Sequence, residues 1–282
     1  MLVKKNVLIK DITTFKNQGQ IEQLVILQTL AEVKDFLKNH KKKLMILGHG
    51  SNLLINPQNK QDFFVKLDAG FSDFYSKDNQ VRVNAAWDVN ALIVAAKQVG
   101  LGGLEFAAGV PASVGGMTVM NFGCFGKSWA GFVKKVRVVD EHGKDFWLNN
   151  YELEYGYRTS IFQKKKWVLV EIILELEDRP IEDVEAKVVQ MVGLRKAKQP
   201  LGEYTFGSIF ENPAEISAGA IIDQLGYKGR QIGDAKISEK HANFMINMGN
   251  ASFEDAVSLI EEIKKVVKQH RGIDLSLEVK II

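Results

Sequence analysis

Three polar side chains in this 282-residue chain sit where chemistry is a reasonable use for them. Arg158 lies in Tyr155-Gly156-Tyr157-Arg158-Thr159-Ser160-Ile161-Phe162, a polar and aromatic stretch with neither a helical nor a strand period. A guanidinium in such a setting can hold a carboxylate bidentately. Ser208 stands between Gly207 and Ile209 in a run that ends at Asn212-Pro213, and Glu278 interrupts the apolar alternation Leu275, Leu277, Val279, Ile281. Taken singly, each also has a plainer reading: a surface salt bridge, a turn residue and a solvent-facing strand position.

Two glycine-bearing stretches offer backbone chemistry. Gly48-His49-Gly50-Ser51-Asn52-Leu53-Leu54 follows a short apolar strand, and its N–H groups with the Ser51 and Asn52 side chains can meet a pyrophosphate. A dinucleotide-binding Rossmann turn is excluded, because a third glycine is missing and Asn56-Pro57 ends any helix at once. The stretch Gly100–Gly126 is rich in glycine and small residues, among them Ala107, Ala108, Ala112, Ser113 and Thr118. It reads as a wrapped loop rather than a helix or central strand, either cradling a flat or polyanionic ligand or making a tight crossover between packed layers.

The elements that must position these groups follow from periodicity. The opening is β-α-β: Val3–Ile12 and Ile21–Leu27 extended, an amphipathic helix with Leu30, Val33, Phe36 and Leu37 on one face, a turn at Lys41–Lys43, and a strand at Leu44–Leu47. Strands are expected at Phe63–Leu67 and Val81–Ala85, and a helix at Val89–Val99. Val133–Asp140 and Asp145–Leu148 form a hairpin around Glu141-His142-Gly143-Lys144, extended by Trp167–Leu176. Ile181–Lys198 is a single helix. Beyond it come a loop at Phe206–Pro213, a short helix at Ser217–Leu225 and a glycine-bearing turn around Gly229 and Gly233. A strand at Phe244–Asn247, a helix at Phe253–Arg271 opened by Ser252, and a terminal strand at Leu275–Ile282 complete the chain.

Composition narrows the function classes. With 37 basic against 34 acidic residues the net charge is +3, too balanced for a nucleic-acid partner. The single cysteine, Cys124, allows neither an intramolecular disulfide nor a thiolate zinc site, and the five histidines show no i,i+4 pairing, so no metal is expected. No Gly-x-Ser-x-Gly elbow is present. No apolar run approaches the roughly 20 residues needed to cross a bilayer, and Met1–Lys10 lacks a signal-peptide pattern, so no membrane insertion is expected and the expected location is the cytoplasm.

From Gly48 to the last residue the chain resembles the UDP-N-acetylenolpyruvoylglucosamine reductases, also called UDP-N-acetylmuramate dehydrogenases. The ordered motifs are Gly48–Leu54, Gly103–Gly116 (GLEFAAGVPASVGG), Met120-Asn121-Phe122-Gly123, Tyr157-Arg158-Thr159-Ser160, Gly207–Pro213 (GSIFENP), Lys236-Ile237-Ser238 with His241-Ala242-Asn243-Phe244, and Glu278-Val279-Lys280. The short spacing between Arg158 and Arg195 is similar to the shorter group of this family, which lacks an extra tyrosine-bearing segment.

The resemblance implies an α+β fold: a two-subdomain FAD-binding domain of the vanillyl-alcohol oxidase / p-cresol methylhydroxylase type, plus a C-terminal α+β substrate-binding domain. Residues 1–67, joined by the strand 275–282, would form the first FAD subdomain and 68–180 the second. Helix 181–198 would connect them to a substrate region at 199–274. Non-covalent FAD would be held by Gly48, His49, Gly50, Ser51, Asn52, Leu53, Gly109, Pro111, Ala112, Ser113, Gly115, Gly116, Asn121, Gly123 and Lys280.

NADPH would be the reductant and UDP-N-acetylglucosamine enolpyruvate the substrate, with hydride delivered to the β-carbon of the vinyl ether. Arg158 and Glu278 would polarise the substrate carboxylate, Ser208 would protonate the α-carbon, and Tyr157, Arg158 and Asn212 would bind the sugar nucleotide. A monomer is expected. The chain departs from the family pattern at Glu211 and Lys280, where lysine and arginine are usual, at Ala112, at Thr13-Thr14-Phe15 and at Glu203-Tyr204-Thr205-Phe206. These changes bear on affinity and turnover, and leave open another FAD-dependent oxidoreductase of this fold or a catalytically impaired flavin- or nucleotide-binding homologue.

Overall fold

A computed structural model describes residues 1–40, 44–59, 63–68, 74–213 and 216–282, so the turn expected at Lys41–Lys43 lies outside the described residues. The chain divides into two compact units, one of residues 1–4, 23–48 and 61–193, the other of 5–22, 49–60 and 194–282.

In the first unit, the part of strand Gln20–Leu27 from residue 23 onward, Phe63–Leu67 and Leu44–Leu47 lie side by side as parallel strands, with Leu24 opposite Phe64 and Leu44 opposite Phe63. Parallel neighbours need a crossover. The helix Leu30–Asn39 supplies one: Thr29 caps it by accepting the Glu32 N–H, and Val33, Phe36 and Leu37 are buried at helical spacing. An antiparallel sheet of five strands runs in the order Asp145–Asn149, Val133–Val139, Val168–Glu175, Gln80–Asn84, Tyr75–Lys77. Its middle strand is nearly continuous in apolar residues because both its faces are covered; Val168, Leu169, Val170, Ile172 and Leu174 are all buried. Helix Val89–Gln98, capped by Asp88, adds Val89, Leu92, Ile93 and Ala96 to this core, where Trp129 is wholly buried.

The glycine-rich stretch is not the continuous loop its composition suggests. A six-residue helix, Val114–Val119, runs through it. Ser113 caps the helix by accepting the Gly116 N–H at 3.1 Å, and tertiary acceptors hold its first turn: Val114 N donates to Trp87 O at 2.8 Å and Gly115 N to Ala85 O at 2.7 Å. A Cβ at Gly115 would lie 2.9 Å from Ala85 O, so glycine is kept there for close packing while neighbouring contacts offset its helical penalty. Ala107, Ala108 and Thr118 are core residues as well, the Thr118 hydroxyl accepting the Trp129 indole N–H at 2.9 Å.

The second unit is built on an antiparallel sheet in the order Thr205–Ser208, Phe244–Asn247, Ala235–Ile237, Gln231–Ile232. Two differences from the sequence reading stand out. Part of the expected Phe206–Pro213 loop is the edge strand of this sheet, and the turn at Gly233 joins two short strands. Helix Phe253–Arg271 covers the sheet with Ala256, Leu259, Ile260, Ile263 and Val267, each fully buried Leu, Ile or Val of this kind stabilising by about 1.5–3 kcal/mol. A capping box between Ser252 and Asp255 starts the helix, and Gly272 ends it at φ +69°.

The expected terminal strand is mostly irregular. Its ladder pairing is confined to Lys280–Ile281, parallel to Leu53–Leu54, with an isolated bridge between Leu277 and Phe210. Among the described residues no helix is long and apolar enough to cross a membrane, and no group of three or more His, Cys, Asp or Glu side chains could hold a metal ion.

Candidate active site

The residues singled out by type and spacing divide between the two units. Gly48, Gly109, Pro111, Ala112, Ser113, Gly115, Gly116, Asn121, Gly123, Tyr157 and Arg158 belong to the first. His49 to Leu53, Ser208, Asn212, Glu278 and Lys280 belong to the second.

In the first unit, Gly48 lies against the cap of the Val114–Val119 helix: a Cβ there would fall 2.4 Å from Ser113 Oγ. The approach to that helix is set by Asn90, whose amide accepts the Gly109 N–H at 2.7 Å and donates to Val110 O at 2.9 Å. Gly109 takes φ +80°, a conformation that glycine adopts without penalty. The N–H groups of Gly109, Ala112, Gly115 and Gly116 are all engaged, by Asn90 Oδ1, Val110 O, Ala85 O and Ser113 Oγ. The Ser113 N–H finds no acceptor among the described residues of its unit and stays available to an oxyanion.

Arg158 is carried by a tight turn, with Gly156 and Thr159 bridged and Arg158 at φ +56°. A non-glycine residue there is uncommon and costs roughly 1–2 kcal/mol. Three side-chain contacts offset that strain by docking the turn on the last residue of the short helix and the segment after it. Asn121 Nδ2 donates to Gly156 O at 2.9 Å, Arg158 Nη1 to Gly123 O at 3.2 Å, and the buried Ser160 Oγ to Val119 O at 2.6 Å. The guanidinium lies 5.1 Å from the Tyr157 ring centre and 5.7 Å from that of Phe122, so π-faces flank its charge. Tyr157 is itself exposed. Among the described residues the buried Tyr155 hydroxyl finds no hydrogen-bond partner, and burial pushes its pKa above the usual phenol range, which keeps it protonated.

In the second unit, Gly50 at φ +66° brings its turn against the N-terminal segment, where a Cβ would meet Ile12 O at 2.1 Å. The N–H groups of Ser51 and Asn52 find no acceptor among the described residues of this unit. Asn52 fixes the C-terminal segment: Nδ2 donates to Glu278 O at 3.0 Å, and its carbonyl accepts Lys280 N at 3.0 Å.

Ser208 and Glu278, seventy positions apart, are brought onto adjoining segments. Glu278 N donates to Ile209 O at 2.9 Å, and Glu211 N to Ser276 O at 2.9 Å. Asn243, 2% exposed, latches the same place, accepting Phe210 N at 3.0 Å and donating to Phe210 O at 2.7 Å. Asn212 is exposed, and its side-chain oxygen accepts Ala218 N at 3.1 Å, which holds the start of helix Ala218–Gln224.

Asn90 has no sequence signal beyond following a capping Asp88. Asn243 was visible inside His241-Ala242-Asn243-Phe244 without an evident role. Each unit by itself offers chemistry that suits part of an FAD diphosphate: Ser51 and Asn52 in the second unit, and Ser113 in the first, have N–H groups with no acceptor among the described residues of their own unit.

Comparison with known proteins identifies an FAD-binding domain and a family. A family model described as an FAD binding domain matches residues 22–149, and one described as the C-terminal domain of UDP-N-acetylenolpyruvoylglucosamine reductase matches residues 199–282. The reductase of that name from Bacillus velezensis is 37% identical over 274 residues, covering 96% of this chain and 90% of the relative. The one from Bacillus subtilis is 38% identical over 274 residues with the same coverage. The crystal structure of the Thermus caldophilus reductase superposes with a TM-score of 0.87 at 31% identity, covering 100% of this chain and 99% of that one.

Proposed function

The chain belongs to the UDP-N-acetylenolpyruvoylglucosamine reductase family, and on that premise we propose that it uses NADPH to reduce UDP-N-acetylglucosamine enolpyruvate to UDP-N-acetylmuramate, a cytoplasmic step toward peptidoglycan. FAD, when bound, supplies hydride transfer. The N–H groups of Ser51, Asn52 and Ser113 would take the diphosphate oxygens. Gly48, His49, Gly50 and Leu53, with Gly109, Pro111, Ala112, Gly115, Gly116, Asn121, Gly123 and Lys280, would complete the binding of the cofactor. In this reading residues 1–67 with 275–282, and 68–180, are the two FAD subdomains, 181–198 connects, and 199–274 binds substrate in a monomer.

Adding hydride to the β-carbon leaves negative charge on the α-carbon and its carboxylate, so that site needs a cation, a hydrogen-bond donor and a proton. Arg158 takes the carboxylate as a planar fork, and Glu278 in its neutral form donates to it. Ser208 passes the Oγ proton to the α-carbon; an alcohol is an adequate acid toward so basic a carbon. Tyr157 and Asn212 contact the sugar nucleotide. The observation that carries this reading is the latch around Phe210, which keeps Ser208 and Glu278 on hydrogen-bonded segments.

Anaerobic half-reactions test it. NADPH should bleach the flavin of the purified protein, and the enolpyruvyl sugar nucleotide should restore the colour. Ser208→Ala should leave the bleaching intact and slow the return by about 10²–10⁴-fold. Colour restored by oxygen but never by this substrate would refute the proposal, whether the cause were a different substrate or a silent homologue.

A further inference from the structure

We propose that Thr14 is a positioning residue for Ser208, an inference that rests on the role assigned to Ser208 above. Thr14 belongs to the N-terminal segment and makes two bonds in opposite directions. Its N–H donates to Gly50 O at 3.3 Å, and its Oγ1 donates to Thr205 O at 2.6 Å. One residue therefore ties the turn that carries Ser51 and Asn52 to the strand that carries Ser208.

The strand needs such a tie, because its own ladder does not fix Ser208. Thr205 pairs with Ile246 and Ser208 with Phe244, and the register shifts between the two pairs. Gly207 sits in that irregular step at φ +82°, its N–H donated to Thr205 Oγ1 at 3.1 Å. An irregular step of this kind re-aims the side chains beside it, so the direction of Ser208 depends on where Thr205 is held.

Thr14 can hold it because its own segment is rigid. Asn247 Nδ2 donates to Phe15 O at 2.9 Å and Lys16 O at 3.0 Å, and Asn247 N donates to Tyr204 O at 2.8 Å. The buried Phe15 and Phe206 rings lie 4.7 Å apart. The Lys16 ammonium is 4.1 Å from the centre of the Tyr204 ring. Two departures from the family pattern, Thr13-Thr14-Phe15 and Glu203-Tyr204-Thr205-Phe206, thus face each other as one clamp.

Thr14→Val keeps the β-branched shape and the backbone N–H but removes the bond to Thr205 O, and Thr14→Ser restores a hydroxyl. With flavin-loaded protein, Thr14→Val should keep its flavin content and its reduction by NADPH. Reoxidation by the enolpyruvyl sugar nucleotide should slow by about ten- to a hundredfold, the range expected of a small misplacement. The solvent isotope effect on that step should rise as protonation becomes limiting, and Thr14→Ser should recover most of the rate. Thr14→Val combined with Ser208→Ala should be no slower than Ser208→Ala alone, since both act through one proton.

Unchanged reoxidation in Thr14→Val beside a slow Ser208→Ala would overturn the inference and leave the Ser208 assignment standing. Ser208→Ala with parental reoxidation would instead sink that assignment. Loss of flavin, or equal slowing of both half-reactions, would move the role of Thr14 away from Ser208 and reject the proposal.

Discussion

Replacing Gly50 by alanine separates two reasons for a glycine in the turn that carries Ser51 and Asn52. At φ +66° any side chain costs roughly 1–2 kcal/mol. The new methyl would also lie 2.1 Å from Ile12 O and 2.7 Å from Thr13 Cα, both backbone atoms that cannot rotate away, adding about 1–3 kcal/mol as overpacking does elsewhere. Gly226, in the same unit at φ +76° with nothing within 4 Å of its would-be Cβ, carries the first term without the second. The difference between Gly50→Ala and Gly226→Ala is therefore the contact alone.

At about 3 °C per kcal/mol for a chain of this size, Gly50→Ala should melt about 3–9 °C below Gly226→Ala. Both proteins are compared by circular dichroism at the same saturating FAD, because bound ligand raises the midpoint. Flavin retention after gel filtration should fall for Gly50→Ala and stay at the parental level for Gly226→Ala. Coincident melting curves would show that the turn yields without strain, and the reasoning from close approach would fail.

Three further outcomes follow from the structure. Asp145 accepts from Lys34 at 2.6 Å and from Arg137 at 2.6 Å, and the Lys34 bond first, then the Arg137 bond, holds its pKa below the usual value. Its stabilisation is fully present above the unfolded value of about 3.9 and is lost as pH falls through the lower folded value, so Asp145→Asn should flatten the acid limb of stability against pH; an unaltered slope would contradict this. Burial, and after it the Lys228 charge, keeps the His241 pKa below its ordinary value. Stability should accordingly decline below about pH 6.5, where the unfolded chain takes up the proton first, and a His241→Gln variant of equal slope would count against it. Removing the Ser252 cap as Ser252→Ala should cost about 1 kcal/mol in denaturant unfolding at an unchanged m-value; no change would mean that Asp255 alone caps the helix.

Long elements were legible in the sequence because local signals and tertiary needs agree in them. Helix Phe253–Arg271 has its cap at Ser252, buried residues at helical spacing and Gly272 beyond the end, and both its bounds follow from those residues. Helix Ile181–Lys198 is similarly fixed by Pro180 before it and Pro200 after it. Short elements were hidden, because long-range partners decide them. Val114–Val119 is helical through acceptors at Ala85 and Trp87, which no local pattern reveals, and Thr205–Ser208 is a strand whose alternation is broken at Gly207.

Among the candidate residues, residue type singled out Arg158, Ser208 and Glu278, whereas Asn243 stood inside a motif without an evident role and Asn90 carried no signal. Asn90 and Asn243 act through both ends of one amide, and that pairing depends on segments 19 and 33 positions away.

The amide of Asn243 stands in for a missing neighbouring strand at Phe210, satisfying its N–H and its carbonyl together. A segment pinned at both polar groups, with Glu278 N on the adjacent carbonyl, cannot serve as a hinged flap. In the proposed reading, substrate would then be admitted by some other part of the chain. Amide protons at Phe210 and Glu278 should exchange with solvent about as slowly as those of the innermost strands.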